Sequence, residues 1–136
     1  MYLYVWNVFV LGCFSSESGT YCQYPCPTHC KNSECNSWNG ECYSCNPRFY
    51  GNKCEAICPT NCGNHVCDKQ NGICSSCISG FFGNKCDMHC PVHCESNTCN
   101  KQTGECLSCR LGYFGSTCDS LCPINCKDNA CDTQIG

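Results

Sequence analysis

Large aliphatic side chains are scarce in this sequence after its first 14 residues, and so are charges. Only 14% of the residues are charged, the net charge is -3, and much of the 42% counted as hydrophobic is cysteine. No sizeable apolar core can therefore form, and a chain that buries so little surface needs covalent links or metal to offset its lost backbone entropy. Because no basic run or patch occurs, nucleic acid is not an expected partner.

Cysteine, in contrast, is abundant. The chain has 136 residues, of which 23 are cysteines, a density typical of disulfide scaffolds in oxidising compartments. The sequence therefore predicts a small disulfide-rich fold. We expect the protein to be secreted or to lie on the extracellular side of the plasma membrane.

One apolar run occurs, from Tyr2 to Phe14, and small polar residues follow it. Its length is typical of the apolar region of a secretory signal peptide and is too short to span a bilayer. We predict a signal peptide over residues 1–18, with cleavage after Ser15 or close to Ser18. Since no second apolar run is present, the sequence predicts no transmembrane helix in this chain.

From its third cysteine onwards the chain repeats itself every 32 residues without an insertion. Each full repeat has the pattern C-x3-C-x4-C-x6-C-x2-C-x8-C. We predict three complete modules and an incomplete fourth, preceded by a remnant of an earlier repeat. The predicted ranges are 19–25 for the remnant, 26–57, 58–89 and 90–121 for the complete modules, and 122–136 for the incomplete one.

Residues shared between the repeats predict turns. A proline follows the first cysteine and favours an extended or turn entry, and an Asn or Asp follows the third cysteine, where its side chain can form an Asx turn. Asn-Gly or Thr-Gly between the third and fourth cysteines predicts a two-stranded hairpin there. An aromatic pair and a turn glycine lie between the fifth and sixth cysteines and supply most of the apolar surface: Phe49-Tyr50-Gly51, Phe81-Phe82-Gly83 and Tyr113-Phe114-Gly115.

The order of the cysteines and the aromatic–glycine spacing resemble the epidermal growth factor-like (EGF-like) module. More specifically, the repeats resemble the compact, laminin-type EGF-like module. This form of the module occurs in multiple-EGF-domain and class F scavenger receptors, a family of engulfment receptors. The resemblance implies disulfides between cysteines one and three, two and four, and five and six, whereas spacing alone leaves many connectivities open. The predicted pairs are Cys26–Cys35, Cys30–Cys42, Cys45–Cys54, Cys58–Cys67, Cys62–Cys74, Cys77–Cys86, Cys90–Cys99, Cys94–Cys106, Cys109–Cys118 and, in the incomplete repeat, Cys122–Cys131.

Two features depart from the EGF-like pattern. Two residues separate the fourth and fifth cysteines where EGF-like modules have one, so we expect a looser or bulged hairpin end. The acidic cluster that precedes the first cysteine of calcium-binding EGF-like modules is also missing, since the segments here are EAIC, DMHC and DSLC. Too few oxygen ligands are present for calcium, and we expect no calcium site.

Both ends of the array contain a cysteine whose partner is in question. The stretch CFSSESGTYC has the C-x8-C frame of the later repeats, but Glu17 and Ser18 replace the aromatic pair. We interpret the register of Cys13 as a coincidence, which leaves Cys22 unpaired; a bridge between the two is the alternative. Cys126 has no fourth cysteine to meet, so we expect a fragment of a longer protein or a truncated product. Either unpaired cysteine can then form an inter-chain disulfide.

The sequence contains no recognisable catalytic constellation. Each complete repeat has a CxxC, but a redox-active CxxC needs an exposed pair at a helix N-terminus in a thioredoxin-like fold. His29, His65, His89 and His93 raise the question of zinc, yet two of them share a repeat position that holds Asn elsewhere, so the ring is not required there. We expect no enzyme activity, no metal and no cofactor, and we interpret the histidines as polar loop surface.

Three functions are compatible with a rod of EGF-like modules in which each module contacts only its neighbours. The resemblance implies an extracellular recognition or spacer segment of a scavenger or engulfment receptor, with a protein, cell-surface or lipoprotein ligand. The alternative is a secreted structural or adhesive matrix protein. A soluble EGF-type signalling ligand is disfavoured, because it needs one isolated module rather than a tandem array.

Trp38 is the residue that we predict to contact a ligand. It lies at the tip of the predicted hairpin of the first repeat, where the other repeats have Gln70 and Gln102. An exposed aromatic side chain at such a position can anchor an interface.

Overall fold

The computed structural model describes residues 12–126 and 131–132. Residues 1–11 of the predicted signal peptide lie outside the described residues, as do residues 127–130 and 133–136 of the incomplete repeat. Within the described ranges, no helix has the length and apolar character needed to cross a membrane.

Cystines form the interior of the protein. Eleven disulfides join cysteines of the described residues. Among the described residues, the largest side chains with less than 2% of their area exposed are cysteines: Cys54, Cys62, Cys74, Cys86, Cys94 and Cys118. Around four buried cysteines of the first repeat, Phe49 packs from the outside as a partly buried ring. The predicted class, a small disulfide-rich fold with short antiparallel strand pairs, is confirmed.

The bridges recur with the period of the sequence. Sequence separations follow the order 9, 12 and 9 in each complete repeat, and the Cα–Cα distances lie between 5.1 and 5.8 Å. All ten predicted pairs are present in the structure. Closing a ring of this size contributes about 2 to 3 kcal/mol in the loop-entropy description, so three rings in each repeat take over the role of an apolar core.

One further bridge corrects the interpretation of the first cysteines. Cys13 is joined to Cys22 with a Cα–Cα distance of 5.3 Å, so the assignment of Cys22 as unpaired is wrong. The physical reason is that Glu17–Ser18 pairs with Tyr24–Pro25 as antiparallel strands without any aromatic side chain in the first strand. Backbone pairing is sufficient to bring the two cysteines together. Among the described cysteines, Cys126 is the free one, and it is half-buried.

Short strand pairs recur along the chain, and each joins the segment before a sixth cysteine to the connector that follows it. The strands are β1 (Glu17–Ser18), β2 (Tyr24–Pro25), β3 (Phe49–Tyr50), β4 (Ala56–Ile57), β5 (Phe81–Phe82), β6 (Met88–His89), β7 (Tyr113–Phe114) and β8 (Ser120–Leu121). They form the antiparallel pairs β1–β2, β3–β4, β5–β6 and β7–β8. Short 3-10 turns at Lys31–Ser33, Gly63–His65 and Glu95–Asn97 follow the second cysteine of each complete repeat.

The loop between the third and fourth cysteines differs from the predicted two-stranded hairpin. Cys35 and Cys42 of the first repeat, and Cys99 and Cys106 of the third, form an isolated antiparallel bridge, not a ladder. The Oδ1 atom of Asn36 accepts hydrogen bonds from the backbone N–H groups two and three residues later, at 2.8 and 3.3 Å. Asp68 and Asn100 do the same, so the predicted Asx turn is confirmed. The Asx side chain binds N–H groups that a longer ladder would need.

Successive repeats meet at a recurring contact, which we call a junction. The N–H of the glycine after the strand donates to a carbonyl of the following Asx loop: Gly19 to Ser37 (2.8 Å), Gly51 to Lys69 (2.7 Å) and Gly83 to Lys101 (2.7 Å) at the first, second and third junctions. The second strand residue lies against the buried glycine that ends that loop: Ser18 against Gly40, Tyr50 against Gly72 and Phe82 against Gly104.

The chain forms two compact units that follow these junctions. Of the described residues, one unit contains 12–58 and Cys67–Gly72, and the other contains Pro59–Val66, 73–126 and 131–132. The first unit therefore contains the first and second junctions, together with the Asx loop of the second repeat. The second unit contains the third junction.

Replacing Gly104 with alanine tests the junction packing. Gly104 has a φ of 76°, and a β-carbon there would lie 2.6 Å from Cζ of Phe82. We expect Gly104→Ala to lower the free energy of unfolding by about 2 to 3 kcal/mol, from backbone strain and displacement of the ring. The measurement is denaturant unfolding with the disulfides intact.

Gly112→Ala is the matched control for this experiment. Its φ is 90°, but no atom lies within 4 Å of the added β-carbon, so only the backbone strain of about 1 kcal/mol remains. Equal losses in the two variants would show that the ring of Phe82 contributes nothing to the junction.

Candidate functional site

Two histidines stack on the aromatic pairs of their own repeats. The rings of His29 and Phe49 have a centroid distance of 3.6 Å and an interplanar angle of 8°, and those of His93 and Tyr113 have 3.7 Å and 13°. Such stacking contributes about 0.5 to 1.5 kcal/mol beyond area burial. The interpretation of these two histidines as polar loop surface is therefore wrong. The histidine and the ring that it covers are far apart in sequence, so local spacing gave no signal.

In the second repeat, a histidine at a different position contacts the aromatic ring of Phe81. Asn61 occupies the repeat position of the stacked histidines, and its Nδ2 donates to the carbonyl of Cys86 at 3.0 Å. The ring of Phe81 is instead paired with His89 of β6, at a centroid distance of 4.7 Å and an angle of 41°. These histidines therefore serve packing. Among the described residues, no group of three or more His, Cys, Asp and Glu side chains is placed to hold a metal ion.

Because cystines occupy the interior, the large apolar side chains lie on the surface. Those with more than two thirds of their area exposed are Tyr21, Trp38, Ile57, Val92, Leu107, Leu111, Leu121 and Ile124. Single exposed apolar residues are normal on protein surfaces and need no explanation. A group of large aromatic residues at one place is different.

Three exposed aromatic residues lie at the first junction: Tyr21, Tyr24 and Trp38, with exposed fractions of 70%, 61% and 74%. We call them the aromatic surface. The hydrogen bond from Gly19 to Ser37 brings their two chain segments together, since Tyr21 follows Gly19 by two residues and Trp38 directly follows Ser37. All three belong to the first compact unit.

The backbone that carries the aromatic surface is held in place. The ring of Tyr24 lies over Gly19, where a β-carbon would be 2.9 Å from ring atom Cδ2. The N–H of Trp38 donates to the Asx oxygen at 2.8 Å, and the N–H of Tyr21 donates to Oε1 of Gln23 at 2.9 Å. A surface on a preformed backbone loses little conformational entropy when it binds a partner.

The other two junctions have different side chains at the same repeat positions. In place of Tyr21, Tyr24 and Trp38, the second junction has Lys53, Ala56 and Gln70, and the third has Lys85, Met88 and Gln102. The fold forms equally with these residues, because the glycine-to-carbonyl bond has nearly the same length at all three junctions. The aromatic surface is therefore a feature of the first junction alone and not a requirement of the repeat.

The sequence identified Trp38 but not the two tyrosines. Tyr21 and Tyr24 precede the first complete repeat. The hydrogen bond from Gly19 to Ser37 and the contact of Ser18 with Gly40 bring their segment to the Asx loop. A comparison of the repeat positions would have found them, since lysine, alanine or methionine occupy these positions elsewhere. No protein-family model matches this chain, and no curated protein matches it.

Two substitutions of His93 test the role of the stacked ring. We expect His93→Ala to lower the free energy of unfolding by about 1 kcal/mol, because the stack on Tyr113 is lost. His93→Asn should lose about half as much, since an amide at this position can bond the carbonyl of the sixth cysteine, as Asn61 does. Denaturant unfolding measures both. Val92→Ala, which truncates a side chain 72% exposed, is the control; a His93→Ala loss no larger than that of the control would contradict the stacking role.

Proposed function

We propose that this chain is an extracellular recognition segment of the scavenger or engulfment type, built from laminin-type EGF-like modules, and that the aromatic surface binds its ligand. The observation that carries the proposal is the group formed by Tyr21, Tyr24 and Trp38, which is exposed, fixed in position and not required by the fold. The proposed role is binding, without catalysis.

The disulfide pattern supports the family assignment within this proposal. Pairs one–three, two–four and five–six occur in each complete repeat, which is the pattern that the EGF-like resemblance implies. A fold that depends on so many disulfides is of the extracellular type, since such bridges persist in oxidising compartments. The receptor class itself depends on the resemblance, because modules of one fold bind many different partners.

The chemistry of the aromatic surface favours a protein ligand. Tyrosine and tryptophan are the residues that most often carry the binding energy of protein interfaces. Around them lie Gly19, Gln23 and Ser37, and this mixture of aromatic and small or neutral polar residues is typical of surfaces that recognise proteins. We therefore propose a protein exposed on dying cells or carried by lipoprotein particles as the ligand.

Binding of the secreted full chain to dying cells tests the proposal. The chain is labelled and titrated against apoptotic and living cells in a flow cytometer, and against acetylated low-density lipoprotein in a surface assay. We expect binding to at least one of the apoptotic cells and the lipoprotein, and weaker binding to living cells. Trp38→Gln and Tyr21→Lys, which introduce the residues of the other repeats, should each lower the affinity about tenfold or more.

Tyr43→Ser provides the matched control. Tyr43 is 66% exposed and lies outside the aromatic surface, and the second repeat has Ser75 at its position; this variant should bind like the unmodified chain. Binding to neither probe, or equal affinity in Trp38→Gln and the control, would contradict the proposal. Binding to deposited extracellular matrix in place of both probes would support the alternative of an adhesive matrix protein.

A further inference from the structure

Residues 13–18 form an integral part of the fold, although the sequence assigned them to the signal peptide. Cys13 is bonded to Cys22, and Glu17 and Ser18 form β1, which pairs with β2. Ser18 has only 5% of its area exposed, since it lies against Gly40 at the first junction. A leader segment that is removed during secretion has no reason to make such contacts.

Backbone hydrogen bonds also join the same segment to the first repeat. The N–H of Cys35 donates to the carbonyl of Ser15 at 3.1 Å, and the N–H of Cys26 donates to the carbonyl of Ser16 at 2.9 Å. The second bond has an equivalent at the first cysteine of each later repeat: Cys58 to Arg48 (2.8 Å), Cys90 to Gly80 (2.9 Å) and Cys122 to Gly112 (2.9 Å). The segment is therefore the end of a true repeat.

Cleavage at either site suggested by the sequence would damage this arrangement. Cleavage after Ser15 removes Cys13 and leaves Cys22 without its partner. Cleavage after Ser18 removes β1 as well and uncovers Gly40. Both would also weaken the anchoring of Tyr24, because its strand would lose either the bridge beside it or its pairing partner.

A third site lies directly ahead of the segment. Gly12 precedes Cys13 and is exposed, Val10 occupies the position two residues before Gly12, and the apolar run from Tyr2 to Leu11 has a length typical of a signal-peptide apolar region. A small residue immediately before the cut is one feature of a signal-cleavage site, and Gly12 provides it.

We propose that the signal peptide ends at Gly12 and that the mature protein begins at Cys13. The reaction is hydrolysis of the Gly12–Cys13 peptide bond by a signal peptidase: water adds across the bond, Gly12 receives the new carboxylate and Cys13 the new amino group. The mature chain then keeps the Cys13–Cys22 bridge, β1 and the complete first junction. The inference depends on the secretion that the proposed function requires.

N-terminal sequencing of the secreted protein tests the inference. The full chain is expressed in secreting animal cells, collected from the medium, and alkylated without reduction before its disulfides are mapped. We expect Cys13 as the N-terminal residue, a peptide linking Cys13 to Cys22, and Cys126 as the one alkylated cysteine. An N-terminus at Ser16 or Gly19, with Cys22 alkylated, would overturn the inference and leave the extracellular location intact.

Failure of secretion would be a different result. A chain that stays inside the cell with residues 1–12 attached and most thiols free would overturn both the inference and the proposed extracellular function. The cleavage site and the binding activity are therefore tested separately, because the first is determined before any ligand is added.

Two matched variants locate the cut independently of folding. Gly12→Leu places a large residue before the proposed bond, and since nothing lies within 4 Å of a β-carbon at Gly12, it leaves the fold undisturbed. We expect loss of the Cys13 N-terminus in this variant. Ser15→Leu places the same side chain before the alternative bond and should keep the Cys13 N-terminus. The reverse pattern would overturn the inference.

Discussion

Disulfide-bonded cysteines take the place of an apolar core in this protein, and the rest of the structure depends on these bridges. Among the described residues, the least exposed side chains are half-cystines, and their spacing repeats every 32 residues. Each complete repeat therefore forms its interior from its own disulfides. Two-residue strands are sufficient because they only direct the chain between bridges that already constrain it. The junctions then join neighbouring repeats through glycine, since only a residue without a side chain admits the ring of the preceding strand pair at Gly72 and Gly104.

The cysteine spacing and the turn residues predicted the fold class and the Asx turns, because both are local in sequence. The predicted hairpin between the third and fourth cysteines is reduced to a single antiparallel bridge in the first and third repeats, where an Asx side chain closes the turn. The two-residue strand pairs lie at the aromatic residues and the connectors. The Cys13–Cys22 bridge was only the alternative interpretation, because the aromatic pair is absent there, although backbone pairing does not need it. The stacking of His29 on Phe49 was missed because only the folded chain brings the two rings together.

The same constraint explains where a binding surface can form. Because disulfide bridges fill the interior, Tyr21, Tyr24 and Trp38 remain exposed, on a backbone that the bridges constrain. At two junctions the displayed positions carry lysine and glutamine, which suit a solvated surface; at the first junction they carry Tyr21 and Trp38. A repeat of this kind can therefore change the side chains exposed at one junction without changing its fold, which is consistent with the separation of fold from function in small modules.

The most direct test of the cystine interior is a disulfide map of the unreduced protein by proteolysis and mass spectrometry. We expect peptides of the second repeat to be linked as Cys58–Cys67, Cys62–Cys74 and Cys77–Cys86, and the neighbouring repeats to show the same pattern. Other pairs, or free thiols at most of these cysteines, would show that cystines do not form the interior, because neither the interior nor the junctions could then form as described.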